Sequence, residues 1–180
     1  MSASVEAVCR DGRHRFSKAP VEEIQLIAGY GVEGDAHAGA EVQHLFLRRK
    51  DPAQPNLRQV HLIHAELYDG LAHAGHAVAP GELGENVVTR GIDLLGLPRG
   101  TILQIGPSVR LEVTGLRNPC GQIDAFQPGL LKQVLTRAAN GRVIRKSGIM
   151  SIVLTGGPLR PGDPITAITP PEPHEPLAPV

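Results

Sequence analysis

A chain of 180 residues with 18 basic and 18 acidic side chains has a formal net charge of zero, which argues against a strongly basic nucleic-acid binder or a polybasic membrane-surface protein. The length fits one domain, and with no Trp and only three Phe and two Tyr the core must rest on Leu, Val, Ile and Ala. The 21 Gly and 16 Pro fall below a disordered composition of roughly 25–30%, yet they predict many turns and short elements.

The chain reads as strand-rich. Residues 4–9 and 21–27 show short apolar alternations, the period of a half-buried strand. Residues 29–39 pack four glycines into eleven positions, which is loop chemistry, and the charged, Pro-containing stretch 48–56 reads as an exposed loop. Residues 60–63 form a short apolar run suited to a buried strand. Over 64–74, Ala65, Leu67, Tyr68, Leu71 and Ala72 recur at helical spacing. A strand is expected over 85–90. Residues 101–105 and 109–114 alternate around Gly106-Pro107-Ser108, the pattern of a β-hairpin. A helix is expected over 128–138, with Pro128 in its first turn, a stripe of Leu130, Leu131, Val134, Leu135 and Ala138, and Gly141 as the stop. Residues 150–154 and 164–168 read as two further strands. Beyond 169 the prolines 170, 171, 173, 176 and 179 predict a Pro-rich tail that is extended or disordered and apart from the core. The expected architecture is mainly β with an α+β admixture, a single barrel-like domain over 1–168 with a few short helices.

Charge is distributed unevenly. The 38 residues from 125 to 162 hold six basic side chains (Lys132, Arg137, Arg142, Arg145, Lys146, Arg160) and no acidic one. Such a run is either a solvated face or an anion-binding surface. Cys9 and Cys120 lie too far apart in sequence to suggest a disulfide framework. No apolar secretory run occupies the first eighteen residues, and no segment reaches the 18 or more apolar residues of a membrane span. A reducing cytoplasm with free thiols is the expectation.

Four clusters could carry chemistry, and each also has a structural explanation. In Gly34-Asp35-Ala36-His37-Ala38-Gly39, Asp35 and His37 suit a tight turn. His61 and His64 are three apart and point to opposite faces if 60–63 is a strand. A zinc or iron site from His37, His61 and His64 is therefore the minor alternative. Gly84-Glu85-Asn86 can be a turn feeding a strand. Leu116-Arg117-Asn118-Pro119-Cys120 places a cysteine where a strong strand ends, three residues after an arginine, and a neighbouring positive charge favours thiolate. A thiolate serves as nucleophile, persulfide carrier or soft-metal ligand. Cys9, inside an apolar alternation, reads as an inert core residue.

Taken in order, GVEGDAHAG, QVHLIHAE, PGELGENVVTRGIDLLGLPRGTILQIG, VRLEVTGLRNPC and the closing Gly162-Asp163-Pro164-Ile165 resemble the MOSC domain, the family of the C-terminal domain of molybdenum cofactor sulfurase. The likeness spans about residues 5–168. It implies a β-barrel-like fold and assigns the family's cysteine to Cys120, which in some members ligates the molybdenum of a pterin cofactor and in others is proposed to carry sulfur. It assigns Asn86, Arg117 and His64 to the cofactor's surroundings.

The implied functions are reduction of N-hydroxylated compounds at a molybdenum cofactor, sulfur carriage on a Cys120 persulfide, or non-enzymatic cofactor binding or delivery. Arg142, Arg145 and Lys146 are expected to fold over the Cys120 pocket and neutralise the anionic pterin. The resemblance also implies a small-molecule substrate and a separate electron-donor or sulfur-donor protein. The pyridoxal-phosphate domain of the sulfurase is not part of this sequence, so no pyridoxal phosphate is expected here. No nucleic-acid or membrane partner is expected.

Overall fold

The computed structural model describes residues 2–180. Strands dominate. The first part of the chain gives β1 (Ser4–Arg10), β2 (Ala19–Val21), β3 (Ile24–Ile27), β4 (Gly31–Val32), α1 (Leu45–Lys50), β5 (Val60–His64), α2 (Ala65–His73) and β6 (Val87–Arg90). After a 3-10 turn at Leu94–Gly96 come β7 (Ile102–Ile105), β8 (Val109–Leu116), α3 (Gln122–Phe126), α4 (Leu131–Val134), β9 (Leu135–Arg137) and β10 (Val143–Arg145). The last strands are β11 (Ile149–Thr155), β12 (Gly157–Leu159) and β13 (Ile165–Ile168).

Eight strands form one sheet in the order β13-β7-β8-β11-β5-β6-β1-β2. Every neighbouring pair is antiparallel except β5 and β6. That parallel pair needs a crossover, and α2 lies on it. The sheet closes because the approach to β13 returns to β1. Val5 N–H donates to the Asp163 carbonyl at 2.9 Å, Ile165 N–H to Ala3 at 2.9 Å and Gly162 N–H to Val5 at 2.8 Å. A barrel results, with β3, β4 and β12 as a small flanking sheet and β9 and β10 as a separate two-stranded ribbon.

Alternation along the strands sorts side chains into two cores. Val8, Val60, Leu62, Val87, Leu103, Leu111, Val113 and Ile149 meet in the first. The intervening residues Ile63 and Val88 join Leu67, Tyr68 and Leu71 of α2, Ile123 of α3, and Leu130 and Val134 in the second. The hairpin of β7 and β8 pairs Ile105 with Val109 across its turn, as the alternation predicts.

Four expectations need correction. The helix expected over 128–138 is a single turn at Leu131–Val134, after which β9 begins and pairs antiparallel with β10. Leu130 and Val134 are buried as the apolar stripe requires. Pairing with β10 then captures Leu135–Arg137, so tertiary context overrides helical spacing. The loop expected over 48–56 begins within α1, whose Leu-Phe-Leu-Arg-Arg-Lys sequence ends in three basic side chains, favourable at a helix C-terminus. The strand expected over 21–27 is split into β2 and β3. The tail does not stand clear of the core. Leu177 packs against the first core, while Leu116 N–H donates to the Ala178 carbonyl at 2.8 Å and Val180 N–H to Leu116 at 3.3 Å. Val180 thus supplies the N–H donor that the neighbouring prolines lack. Among the described residues, no helix is long and apolar enough to cross a membrane.

Candidate functional site

The strand alternation that builds the second core builds a pocket on the same outer face. On β5, Ile63 packs under α2 while His61, two residues earlier, faces a cavity of about 410 Å³. On β6 and its approach, Val88 is core and Asn86 lines the cavity. Helices α2, α3 and α4 cover one part of this face, and the other part opens to the cavity, which α1 borders through Leu45, Phe46 and Arg49.

A buried ion pair supports the floor. Lys18 Nζ lies 3.0 and 2.8 Å from the two Asp35 carboxylate oxygens, with the two side chains 3% and 2% exposed. The Asp35 carboxylate also accepts from His37 N–H at 2.9 Å and Asn86 Nδ2 at 3.0 Å. Burial alone would raise this carboxyl, but hydrogen bonds from His37 and the Lys18 charge hold it well below the usual carboxylate range. Burial pushes Lys18 below its usual value. Asn86 is saturated within the wall. Its amide nitrogen donates to Asp35 and to the Cys9 carbonyl at 3.2 Å, while its oxygen accepts from His61 N–H at 3.2 Å. Lys18 reaches this site because Gly81, in the left-handed region at φ +89°, leaves room where a Cβ would collide with the Lys18 carbonyl.

Arg117 and Cys120 leave the end of β8 at the pocket's edge. Arg117 N–H donates to the Gly148 carbonyl at 3.0 Å, and its own carbonyl accepts from Ser147 Oγ at 3.3 Å. Ser147 in turn offers its carbonyl to His61 Nε2 at 2.8 Å. Full burial, helped by the Arg117 charge, lowers His61 to about 3, so the ring is neutral and donates this bond. Burial also lowers Arg117, an effect partly offset by the adjacent Cys120 sulfur. Cys120 is exposed, and its Sγ donates to Gln122 Oε1 at 3.5 Å. Cys9 is the reverse case, buried and raised to about 12 by desolvation and the nearby Glu85 carboxylate.

The lining has one sign of charge. Arg15, Lys18, Arg49, Arg58 and Arg117 contribute five cationic side chains, His14, His37, His44 and His61 four imidazoles, and no carboxylate lines the cavity. Burial and the charges of Arg58, His37, Arg117 and His14 all depress His44. A soft sulfur beside several cations is a donor set for an anionic, thiophilic ligand.

Of the residues singled out from sequence, the structure brings Asn86, Arg117, Cys120, His37 and His61 to this cavity. His64 lies outside the lining, half-buried at the end of β5 ahead of α2, and burial lowers its pKa. Arg142, Arg145 and Lys146 also lie outside it, on or beside β10. Arg145 alone reaches the rim, where its Nε donates to Asn118 Oδ1 at 2.8 Å. The His37–His61–His64 metal alternative is corrected. Among the described residues, no three His, Cys, Asp or Glu side chains are placed to hold a metal ion. On strand β5, His61 and His64 point to opposite faces.

The MOSC domain profile matches residues 34–166. The chain belongs to the MOSC domain family. Among solved structures, the YuaD protein of Bacillus subtilis is 26% identical, with a TM-score of 0.76, and the alignment covers 95% of this chain and 98% of that one. YiiM of Escherichia coli is 21% identical with a TM-score of 0.61, covering 95% and 72%. YiiM of Geobacillus stearothermophilus is 16% identical with a TM-score of 0.61, covering 92% and 75%. At these identities the YiiM structures support the fold alone. No curated protein matches the sequence.

Sequence reasoning about this MOSC chain missed Lys18, His14, His44, Arg15, Arg49 and Arg58. They come from irregular segments, α1 and the approach to β5, where no periodicity marks them. Arg58 had one weak signal, its place one residue before the QVHLIHAE run.

Proposed function

We propose that this MOSC protein binds molybdenum cofactor, with Cys120 as the metal's thiolate ligand, and reduces N-hydroxylated compounds. The observation that carries this reading is a cavity with no carboxylate in its lining and a cysteine at its lip. Arg15 and Lys18 of that lining are ion-paired, whereas Arg49, Arg58 and Arg117 have no Asp or Glu partner among the described ion pairs. The residues fit the group. A molybdopterin carries a phosphate and two sulfur donors, and it needs cations without competing carboxylates. Arg58 Nε is moreover buried without a hydrogen-bond partner, an orphaned donor suited to an anionic ligand. Arg58, Arg117 and Arg15 would hold the anionic part, and Cys120 the metal. When bound, the cofactor supplies two-electron redox chemistry.

The protein's own residues do the rest. Asn86, fixed by Asp35, Cys9 and His61, keeps the wall in place. Neutral His61 donates to the Ser147 carbonyl and so ties β5 to the segment before β11, whose Ser147 Oγ in turn donates to the Arg117 carbonyl. Arg142, Arg145 and Lys146 contribute by long-range attraction and, for Arg145, by holding Asn118. Electrons come from a separate donor protein, and the soluble compartment expected for free thiols is the cytoplasm.

The exposure of Cys120 favours a second reading, a sulfur carrier in which the thiol holds a persulfide accessible to another protein. One experiment separates the two. The protein is purified from a molybdenum-replete host alongside Cys120→Ser, and metals and cyanolysable sulfur are measured. Stoichiometric molybdenum that disappears in the variant supports the first reading. Cyanolysable sulfur lost in the variant, without molybdenum, supports the carrier. Zinc retained by both proteins refutes both. Charge reversal at Arg142, Arg145 and Lys146 is expected to weaken cofactor retention, and unchanged retention would leave them as ordinary surface.

A further inference from the structure

The tail reaches the pocket from outside the barrel. Its backbone pairs with the last residue of β8, so Leu116 is bracketed by Ala178 and Val180 in a parallel bridge through Pro179. Leu177 anchors the segment on the first core. The Val180 main-chain oxygen then accepts a hydrogen bond from Arg58 Nη2. Gly115 makes the approach possible, because a Cβ there would collide with the Ala178 carbonyl and lie 2.5 Å from Val180 Cγ1.

Arg58 is an awkward residue to place. It lines the cavity beside Arg117, and burial together with that second guanidinium lowers its pKa. Two like charges in a half-buried wall repel, and Arg58 has no Asp or Glu partner among the described ion pairs. The Val180 main-chain oxygen aimed at its Nη2 is the compensating acceptor. Its backbone N–H is held separately by Asn56 Oδ1 at 3.0 Å, which fixes the main chain and leaves the guanidinium to the tail.

We infer that residues 177–180 are a positioning strap that holds the Arg58 guanidinium in the anion-binding wall beside Arg117. Without the strap, repulsion from Arg117 turns Arg58 toward solvent and the pocket loses attraction for anions. The inference rests on the proposed anion pocket and adds a segment outside its lining that sets its strength.

Cys120 provides the readout, since it is exposed while Cys9 is buried. In the unmodified full chain its sulfur displaces iodide from iodoacetate, an anion, or from iodoacetamide, which is neutral. The ratio of the two rates reports the local positive charge, and a change in packing alone does not alter it. Arg58→Ala is expected to lower the ratio about two- to fivefold, the effect of one partly screened charge at pocket distance. Gly115→Ala, which displaces the strap without removing any of its groups, is expected to lower it by a similar factor. The double variant is expected to fall no further than Arg58→Ala alone. Leu177→Ala, which removes the strap's anchor on the first core and leaves the chain's charges in place, is the second route should Gly115→Ala fail to fold, and it should match the same pattern.

An unchanged or higher ratio with the strap displaced, while Arg58→Ala still lowers it, overturns the strap and leaves the anion pocket standing. An equal fall in the Arg58→Ala background also overturns it, because the strap would then act through another group. If Arg58→Ala itself has no effect, both the strap and the role of Arg58 in the pocket fail.

Discussion

The outer face of the barrel is two regions made by the same strands. In one, Ile63 and Val88 are sealed beneath α2, α3 and α4. In the other, His61 and Asn86 occupy the equivalent outward positions two residues earlier and form the wall of an open cavity. Side-chain direction is identical in the two regions, and what differs is the cover. Where helices lie over the sheet, outward positions are aliphatic. Where α1 and loops ring it without sealing it, those positions carry hydrogen-bonding groups that hold one another. The site is thus a stretch of would-be core left unroofed.

Removing the support of each region sharpens the contrast. The largest loss is expected for Asp35→Ala, which leaves Lys18 uncompensated in a position only 3% exposed. Such a change costs about 4 kcal/mol, readable as a shift in urea midpoint, and an unshifted midpoint would mean that the floor is not organised by this pair. The carboxyl is held below its unfolded value, so its contribution is complete above the ordinary carboxylate range and is lost as pH falls through the lower folded value. On the covered side, Ile63→Ala is expected to cost about 3 kcal/mol by leaving a cavity, with the alkylation rate of Cys120 unchanged. A coupled change in that rate would show that the two regions are not separable.

The third effect is pH dependence. Burial first, and then the Arg117 charge, lower His61 from 6.5 to about 3. Between those values the unfolded chain takes up a proton that the folded one refuses. Stability therefore falls as the medium is acidified, with a slope of up to about 1.4 kcal/mol per pH unit from this one group. In His61→Gln the slope between these limits should flatten, as followed by denaturant midpoints across pH. The smallest effect is expected for Cys120→Ser. An exposed substitution should change stability by no more than about 0.5 kcal/mol, while iodoacetamide labelling under native conditions disappears.

The strands were legible because burial on one side writes itself as alternation. Leu103 and Ile105 against Val109 and Leu111 need no distant information to be read as a hairpin. The segment 128–138 misled for the converse reason. Leu130 and Val134 satisfy helical spacing, but Leu135–Arg137 are governed by β10, several residues downstream. In the site, Arg117 and Cys120 were visible because they follow a strong strand within one short segment. Lys18 was not, since a lysine looks like surface until Asp35, 17 positions later, is placed against it. Arg58 gains its setting from Arg117 and Val180, and that geometry exists only after the sheet has closed and the tail has returned along β8.

The seam between β1 and the approach to β13 sets an order of events. Val5 pairs with Thr89 of β6 on one side and finds backbone partners at Gly162 and Asp163 on the other, so a ribosome must deliver nearly all of the barrel before the start of β1 is paired on both sides. Pairings so distant in sequence are slow to form. The pocket's outer face also borrows from β11, which emerges after Cys120. During synthesis, then, most of the lining leaves the exit tunnel before Cys120 and only Gln122 and Met150 after it, but the sheet that carries this lining closes only once β11 and the approach to β13 have followed.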